Sequence, residues 1–157
     1  MSDPALLERA RALAGAESGL AVVVTTRPDG TSPGSVVNAG VLDHPVTGER
    51  IVGFVARGGA RKLAYLRARP RVTVVFRSGW DWVAVEGDAE LAGPDDDLEG
   101  LDPGGMPRLR REVYAAAVGG TADDWAGMDG VMEAEGHTAV LVRPRRVYSN
   151  PAGDEAT

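Results

Sequence analysis

The apolar positions of this chain follow two periodicities, one typical of helices and one typical of strands. Near the N-terminus, apolar residues share one helical face: Leu6, Leu7, Ala10, Leu13 and Ala14. Ser2, Asp3 and Pro4 precede them, which places a capping residue and a helix-tolerated proline at the start. The pattern predicts a short helix that ends near Gly15.

Three β-branched, apolar segments come next, and short turns separate them. The predicted strands are residues 20–26, 34–43 and 50–56, with Pro, Gly and Asp concentrated in the turns between them. Strands that follow one another through short turns favour an antiparallel meander. A short helix over 60–69, which Pro70 ends, then leads to two more predicted strands, 72–76 and 82–91.

The last third of the chain begins with a loop rich in Asp, Gly and Pro over 93–105. Helical patterns follow over 107–118 and 122–135, and a sixth strand over 137–148 precedes a polar tail over 148–157. Six strands with helices at the margins predict a mainly β fold, a six-stranded antiparallel barrel in a single domain over 1–157.

Composition narrows the possible classes of protein. With 157 residues, 43% of them apolar and 25% charged, the chain is typical of one soluble globular domain. Its apolar runs fall short of the roughly 20 residues that cross a bilayer, and its start is unlike a signal sequence, so we expect a cytoplasmic protein without a membrane partner. The absence of cysteine excludes thiol chemistry, and two histidines, His44 and His137, predict no metal site.

Charge is distributed unevenly along the chain. Residues 50–80 carry eight basic side chains and no acidic one, whereas residues 81–107 carry nine acidic and no basic side chains. A basic segment within a chain of net charge −6 indicates either an anion site or a set of solvated faces. Because the overall acidity would repel a long polyanion, a small anionic ligand is favoured over nucleic acid.

The segment Arg57-Gly-Gly-Ala-Arg-Lys62 joins a predicted strand to a predicted helix. A helix N-terminus has unpaired backbone N–H groups, and its dipole disfavours cations in the first turn. Arg61 and Lys62 at this position are therefore better explained by a bound anion, which Gly58 and Gly59 would allow to approach the backbone closely. The alternative, two solvated surface cations, stays open.

The order of these elements, with Ala60-Arg61-Lys62 at the helix start, resembles the split β-barrel flavin-binding proteins related to pyridoxamine 5′-phosphate oxidase. In that family a Ser-Arg-Lys triplet grips the cofactor phosphate, so the serine hydroxyl is missing here. Segments 25–30, 69–73 and 142–148 resemble, more narrowly, the actinobacterial branch that uses the deazaflavin coenzyme F420.

The resemblance implies a split barrel of the FMN-binding type, assembled as a homodimer with the cofactor at the subunit interface. It implies that Arg57, Arg61 and Lys62 bind the cofactor phosphate. Residues of the second and third strands would form the floor under the ring: Val37, Asn38, Ala39, Phe54, Val55 and Ala56. Trp80 and Trp82 of the second subunit would complete the pocket. Three further arginines would serve an acidic cofactor tail or be solvated: Arg67, Arg69 and Arg71.

The implied function is an oxidoreductase in which reduced F420 gives a hydride to a small electron-poor or conjugated substrate. Two alternatives remain: an FMN-dependent oxidase or reductase of the same fold, and a non-catalytic carrier of a flavin-type cofactor. No residue is assigned to catalysis. The amide of Asn38 would bind either the cofactor ring or a partner within the fold, and His137 is interpreted as a structural hydrogen-bonding residue.

Overall fold

The computed structural model describes residues 3–118 and 125–150. Within them the α-helices are α1 (Pro4–Ala16), α2 (Arg61–Ala68), α3 (Met106–Val118) and α4 (Trp125–Ala134), and a short 3₁₀ helix, Pro103–Gly105, ends the predicted loop. The strands are β1 (Leu20–Val24), β2 (Gly34–Asp43), β3 (Arg50–Ala56), β4 (Arg71–Ser78), β5 (Asp81–Ala92) and β6 (Thr138–Ser149). All predicted elements are therefore present, with bounds that shift by a few residues at most. Residues 122–124 of the last predicted helix and 151–157 of the predicted tail lie outside the described residues.

The six strands form a closed antiparallel barrel in the order β1-β2-β3-β6-β5-β4. The long strand β6 closes it, pairing with β3 along Thr138–Val142 and with β5 along Ala139–Ser149. The prediction of a six-stranded antiparallel barrel is confirmed.

Strand β2 changes partners halfway along its length. It pairs with β1 through Gly34–Asn38 and with β3 through Ala39–Asp43, so β2 and β3 part beyond the pair Ala39–Phe54. Only four residues separate the end of β3 at Ala56 from the start of α2, which limits their separation to about 17 Å. The parting of the two strands thus lies a short way along the chain before the N-terminus of α2.

Apolar side chains pack in two clusters on either side of the barrel wall. The larger cluster fills the barrel with inward residues of the strands and takes in Leu63 and Leu66 of α2. The second lies under α3, where Leu109 and Val113 pack against Ile51 and Leu141. Helices α2 and α3 thus cover two different parts of the barrel surface.

Close backbone contacts explain two of the strand glycines. A Cβ on Gly40 would lie 2.3 Å from backbone atoms of Ala116 in α3, and a Cβ on Gly87 would lie 2.2 Å from the carbonyl oxygen of Arg143 in β6. Neither backbone can yield easily, so both positions require glycine. Across the described residues, no helix has the length and apolar character needed to span a membrane.

Candidate functional site

The first turn of α2 presents two cations and a set of uncapped amides. The N-cap residue, Ala60, has extended backbone and makes no side-chain hydrogen bond to the turn. Neither Arg61 nor Lys62 forms an ion pair with any residue in 3–118 or 125–150. The N–H of Leu63 donates to the carbonyl of Ala60 at 3.1 Å, so the amides left for a ligand are those of Arg61 and Lys62. A helix start that combines such N–H groups with unpaired cations is complementary to an anion.

Arg57, the third predicted phosphate ligand, has a partner within the chain. Its Nη2 lies 2.9 Å from a carboxylate oxygen of Glu135, just beyond α4. The other oxygen of Glu135 lies 3.2 Å from Nε2 of His137, so one carboxylate serves both side chains. His137 is thus a hydrogen-bonding residue in this fold, while its Nδ1 is buried without a partner among the described residues.

The two glycines before α2 serve the backbone. Gly59 has φ +84°, which favours glycine, and open space surrounds the position of its missing side chain. A Cβ on Gly58 would lie 2.8 Å from the carbonyl oxygen of Gly136. Its N–H also donates to the carbonyl of Glu135 at 3.1 Å. Gly58 is therefore explained by the approach of the turn between α4 and β6, rather than by room for a ligand.

The predicted floor residues divide between the two faces of the barrel wall. Ala39, Phe54 and Ala56 are buried inside the barrel, and Val37 packs against the same cluster. Val55 packs against the cluster under α3. The side chains of Ala39, Phe54 and Ala56 are therefore not exposed to a ligand in this chain, and those of Val37 and Val55 are half-buried.

Two exposed side chains of β2 border the parting from β3. Asn38 is exposed, and its Nδ2 donates to the carbonyl of Ser18, a partner within the fold, at 2.9 Å. Its Oδ1 accepts no hydrogen bond from the described residues. Val36, which sequence reasoning missed, is 64% exposed on the same face. Because side chains alternate along a strand, Val36 lies on the opposite face from Val37 and on the same face as the polar Asn38, and this signal could have identified it.

Val36 begins a continuous apolar row across the outside of the barrel. Register pairs join Val36 to Val22, Val22 to Val75, Val75 to Ala84 and Ala84 to Tyr148. We call these five residues the outer row. Val22, Val36 and Tyr148 of this row are exposed, whereas Val75 is half-buried and Ala84 is buried. Exposed apolar side chains grouped in this way are typical of an interaction surface.

Trp82 and Trp80 lie at one end of this face, on β5 and in the β4–β5 turn. The rings of Trp82 and Tyr148 meet edge to face with 6.1 Å between their centroids. Trp80 is 84% exposed. Trp82 pairs with Arg77 near the end of β4, whereas α2 leads into the start of β4 at Arg71, so these tryptophans lie toward the opposite end of β4 from α2.

The three arginines expected to bind an acidic tail or solvent differ in their contacts. Arg67 holds Asp96 through two nitrogens, and the hydrogen bond raises the pKa of its guanidinium above the usual value. Arg71 contacts Asp88 at 3.2 Å. Arg69 makes no ion pair with the part of the chain that the structure describes.

The family description that matches the sequence is "Pyridoxamine 5′-phosphate oxidase", and the match runs over residues 6–149. The chain belongs to the pyridoxamine 5′-phosphate oxidase family. No curated protein sequence matches it significantly. The family match covers the barrel, α2 and the predicted phosphate residues.

Solved structures of this family's fold superpose on nearly the whole chain. A conserved hypothetical protein from Mycobacterium tuberculosis is 21% identical, with a TM-score of 0.66 over 95% of this chain and 84% of that one. An FMN-binding, pyridoxamine 5′-phosphate oxidase-related protein from Nostoc punctiforme is 17% identical, with a TM-score of 0.59 over 94% and 84%. An F420 reductase is 17% identical, with a TM-score of 0.54 over 83% and 90%. At these identities the likeness shows a shared fold.

Proposed function

We propose that this family member is a homodimeric oxidoreductase that binds reduced coenzyme F420 and reduces a small electron-poor or conjugated substrate. The observation that carries the proposal is the first turn of α2, where Arg61 and Lys62 are unpaired beside uncapped amides. A phosphate group satisfies the amides and both cations together through charge-assisted hydrogen bonds. Arg57 joins them when its exposed ion pair with Glu135 opens.

The parting between β2 and β3 offers a place for the cofactor ring. Val36 supplies an exposed apolar surface there, and the unused Oδ1 of Asn38 can accept a hydrogen bond from a ring N–H. Bound F420 supplies the hydride, so the residues of the chain need only bind and orient the cofactor and exclude water. The proposal accordingly assigns no catalytic residue.

The outer row supports a dimer with a shared site. Val36 belongs both to this row and to the border of the proposed cofactor site. A second subunit that covers the row would bury its apolar side chains. It would also bring its own Trp80 and Trp82 toward a pocket that one chain leaves open.

F420 is preferred to FMN because Arg69 adds an unpaired cation beyond those a single phosphate needs. FMN is the second candidate, supported by the FMN-binding neighbour from Nostoc punctiforme. A non-catalytic carrier is the third. It is supported by the heme-binding protein from Mycobacterium smegmatis, which is 19% identical with a TM-score of 0.61 over 98% of this chain and 57% of that one.

Titration of the apo-protein with F420 and with FMN, followed by fluorescence, tests the choice of cofactor. We expect tighter binding of F420, and tenfold tighter binding of FMN, about 1.4 kcal/mol, would overturn the preference. The reduced complex is then mixed with a panel of quinones, enones and tetrapyrroles. Oxidation of the cofactor by a panel member supports an enzyme, whereas a bound cofactor that none oxidises indicates a carrier.

A further inference from the structure

A β-bulge in β6 brings two consecutive arginines to the outside of the barrel. Glu86 of β5 pairs with Arg146, whereas the next residue, Gly87, pairs with Pro144, so Arg145 is the extra residue of the bulge. In a regular strand neighbouring side chains point to opposite faces. Because of the bulge, Arg145 and Arg146 are both exposed.

Glycine at position 87 makes this arrangement possible. The carbonyl of Arg143 would lie 2.2 Å from a Cβ there, so β6 approaches β5 more closely than a side chain allows. Bulges of this kind re-aim side chains and are frequent beside functional sites. The bulge therefore depends on both strands: on the extra residue Arg145 in β6 and on Gly87 in β5.

Beside the bulge lies a groove of about 460 Å³, which Arg71, Arg145 and Arg146 line together. Four hydroxyl-bearing residues of the β1–β2 hairpin and β4 also line it: Thr25, Thr26, Ser32 and Thr73. The volume is in the range of small-ligand sites. Guanidinium groups and hydroxyls can each donate hydrogen bonds to an oxyanion.

Charges around the groove leave a positive excess. Arg71 and Arg145 both contact the carboxylate of Asp88, at 3.2 Å and 2.5 Å. Glu86 accepts a hydrogen bond from the Tyr148 hydroxyl at 2.6 Å, which raises the pKa of that tyrosine. Arg146 forms no ion pair within residues 3–118 and 125–150. Among the described residues, three arginines therefore line the groove, with the carboxylates of Glu86 and Asp88 beside them.

We propose that this groove is a second anion site, distinct from the first turn of α2, which takes a small polycarboxylate or phosphate. Arg146 binds the oxyanion through two N–H groups of its guanidinium. Arg71 at the start of β4 and Arg145 in the bulge of β6 add positive charge. The groove includes no residue of α2, so the proposal does not depend on the proposed function.

Calorimetric titration of the apo-protein with citrate, and separately with inorganic phosphate, tests the site. Arg146→Ala should weaken binding of citrate at least tenfold, while Arg108→Ala, which removes an exposed arginine of α3, should leave it unchanged. Lys62→Ala should also leave citrate binding unchanged. Failure of the wild-type protein to bind either anion, or equal binding by Arg146→Ala and Arg108→Ala, would overturn the proposal.

A second comparison identifies the source of the anion. If Arg146→Ala weakens binding of F420 but leaves FMN unaffected, the acidic tail of the cofactor occupies the groove. If the variant weakens citrate alone, the groove takes a separate molecule. Loss of FMN binding on Arg146→Ala would overturn the claim of a distinct site.

Discussion

Glu135 holds Arg57 in an ion pair of 2.9 Å beside the start of α2. Glu135 therefore competes with a bound phosphate for Arg57, since the guanidinium cannot pair fully with both anions at once. Glu135 also contacts His137, so the carboxylate has a second partner within the fold.

Glu135→Gln should therefore tighten binding of a phosphate-bearing cofactor. Loss of an exposed ion pair, ~0.5–1 kcal/mol, corresponds to about a two- to fivefold fall in the dissociation constant. Fluorescence titration measures it, with Glu133→Gln on α4 as the control for a lost surface charge. Equal affinities of the two variants would mean that Arg57 takes no part in phosphate binding.

Lys62→Ala and Arg61→Ala should each weaken cofactor binding about ten- to hundredfold, because each removes a charge-assisted hydrogen bond of roughly 1.5–3 kcal/mol. Thermal melting of the apo-protein should stay nearly unchanged or rise slightly, since the helix dipole disfavours both cations.

The control for these variants has to be an arginine that is exposed and remote from α2. Arg110 lies on α3, far from α2 in the sequence, but it is unsuitable because it is only 5% exposed and its Nε donates to the carbonyl of His137 at 3.1 Å. Arg108→Ala is the suitable control, because its side chain is largely exposed. If Lys62→Ala and Arg61→Ala bind cofactor as tightly as Arg108→Ala, the basic turn is only a solvated face.

Val36→Glu should break the proposed dimer. A carboxylate in place of Val36, at one end of the row that the second subunit would cover, would lose hydration without gaining a partner, so the subunits should separate. Sedimentation should give about twice the chain mass for the wild type and the single mass for the variant. Val131→Glu, at an exposed position of α4, should sediment like the wild type. A wild-type monomer that binds cofactor stoichiometrically would refute the shared site.

Gly40→Ala should destabilise the fold by about 1–3 kcal/mol, because its Cβ would overlap the backbone of α3 at Ala116. Gly15→Ala, in the last turn of α1 with no atom within 4 Å of its Cβ, should instead stabilise by up to about 0.5–1 kcal/mol. Urea unfolding measures both. Equal midpoints for the two variants would contradict the close packing of α3 on β2.

Local patterns were sufficient to predict the elements and the barrel, because alternation and turn residues act over a few positions. The contacts of the site depend on residues far apart in sequence. Glu135, the partner of Arg57, is separated from it by about half of the chain, and no local signal pairs them. The inward direction of Phe54 follows only from closure of the barrel, which decides which face of β3 is inside.

His44 is a second case in which a local interpretation was incomplete. Its position in a Pro- and Gly-containing turn is evident in the sequence, but its burial is not. Nδ1 accepts hydrogen bonds from the backbone N–H groups of Val46 and Thr47, each at 3.1 Å, so Nε2 carries the proton and donates to Glu90 at 3.0 Å. The acceptor Glu90 is supplied by β5, well beyond the turn.

The double pairing of β6 also has a consequence for synthesis on the ribosome. It is the last of the six strands in chain order, and it supplies the neighbour of both β3 and β5. Until it emerges, the nascent chain exposes two unpaired strand edges, which are prone to join other chains. The protein therefore depends on rapid completion, or on a chaperone that shields these edges, more than a fold whose strands pair only with their sequence neighbours.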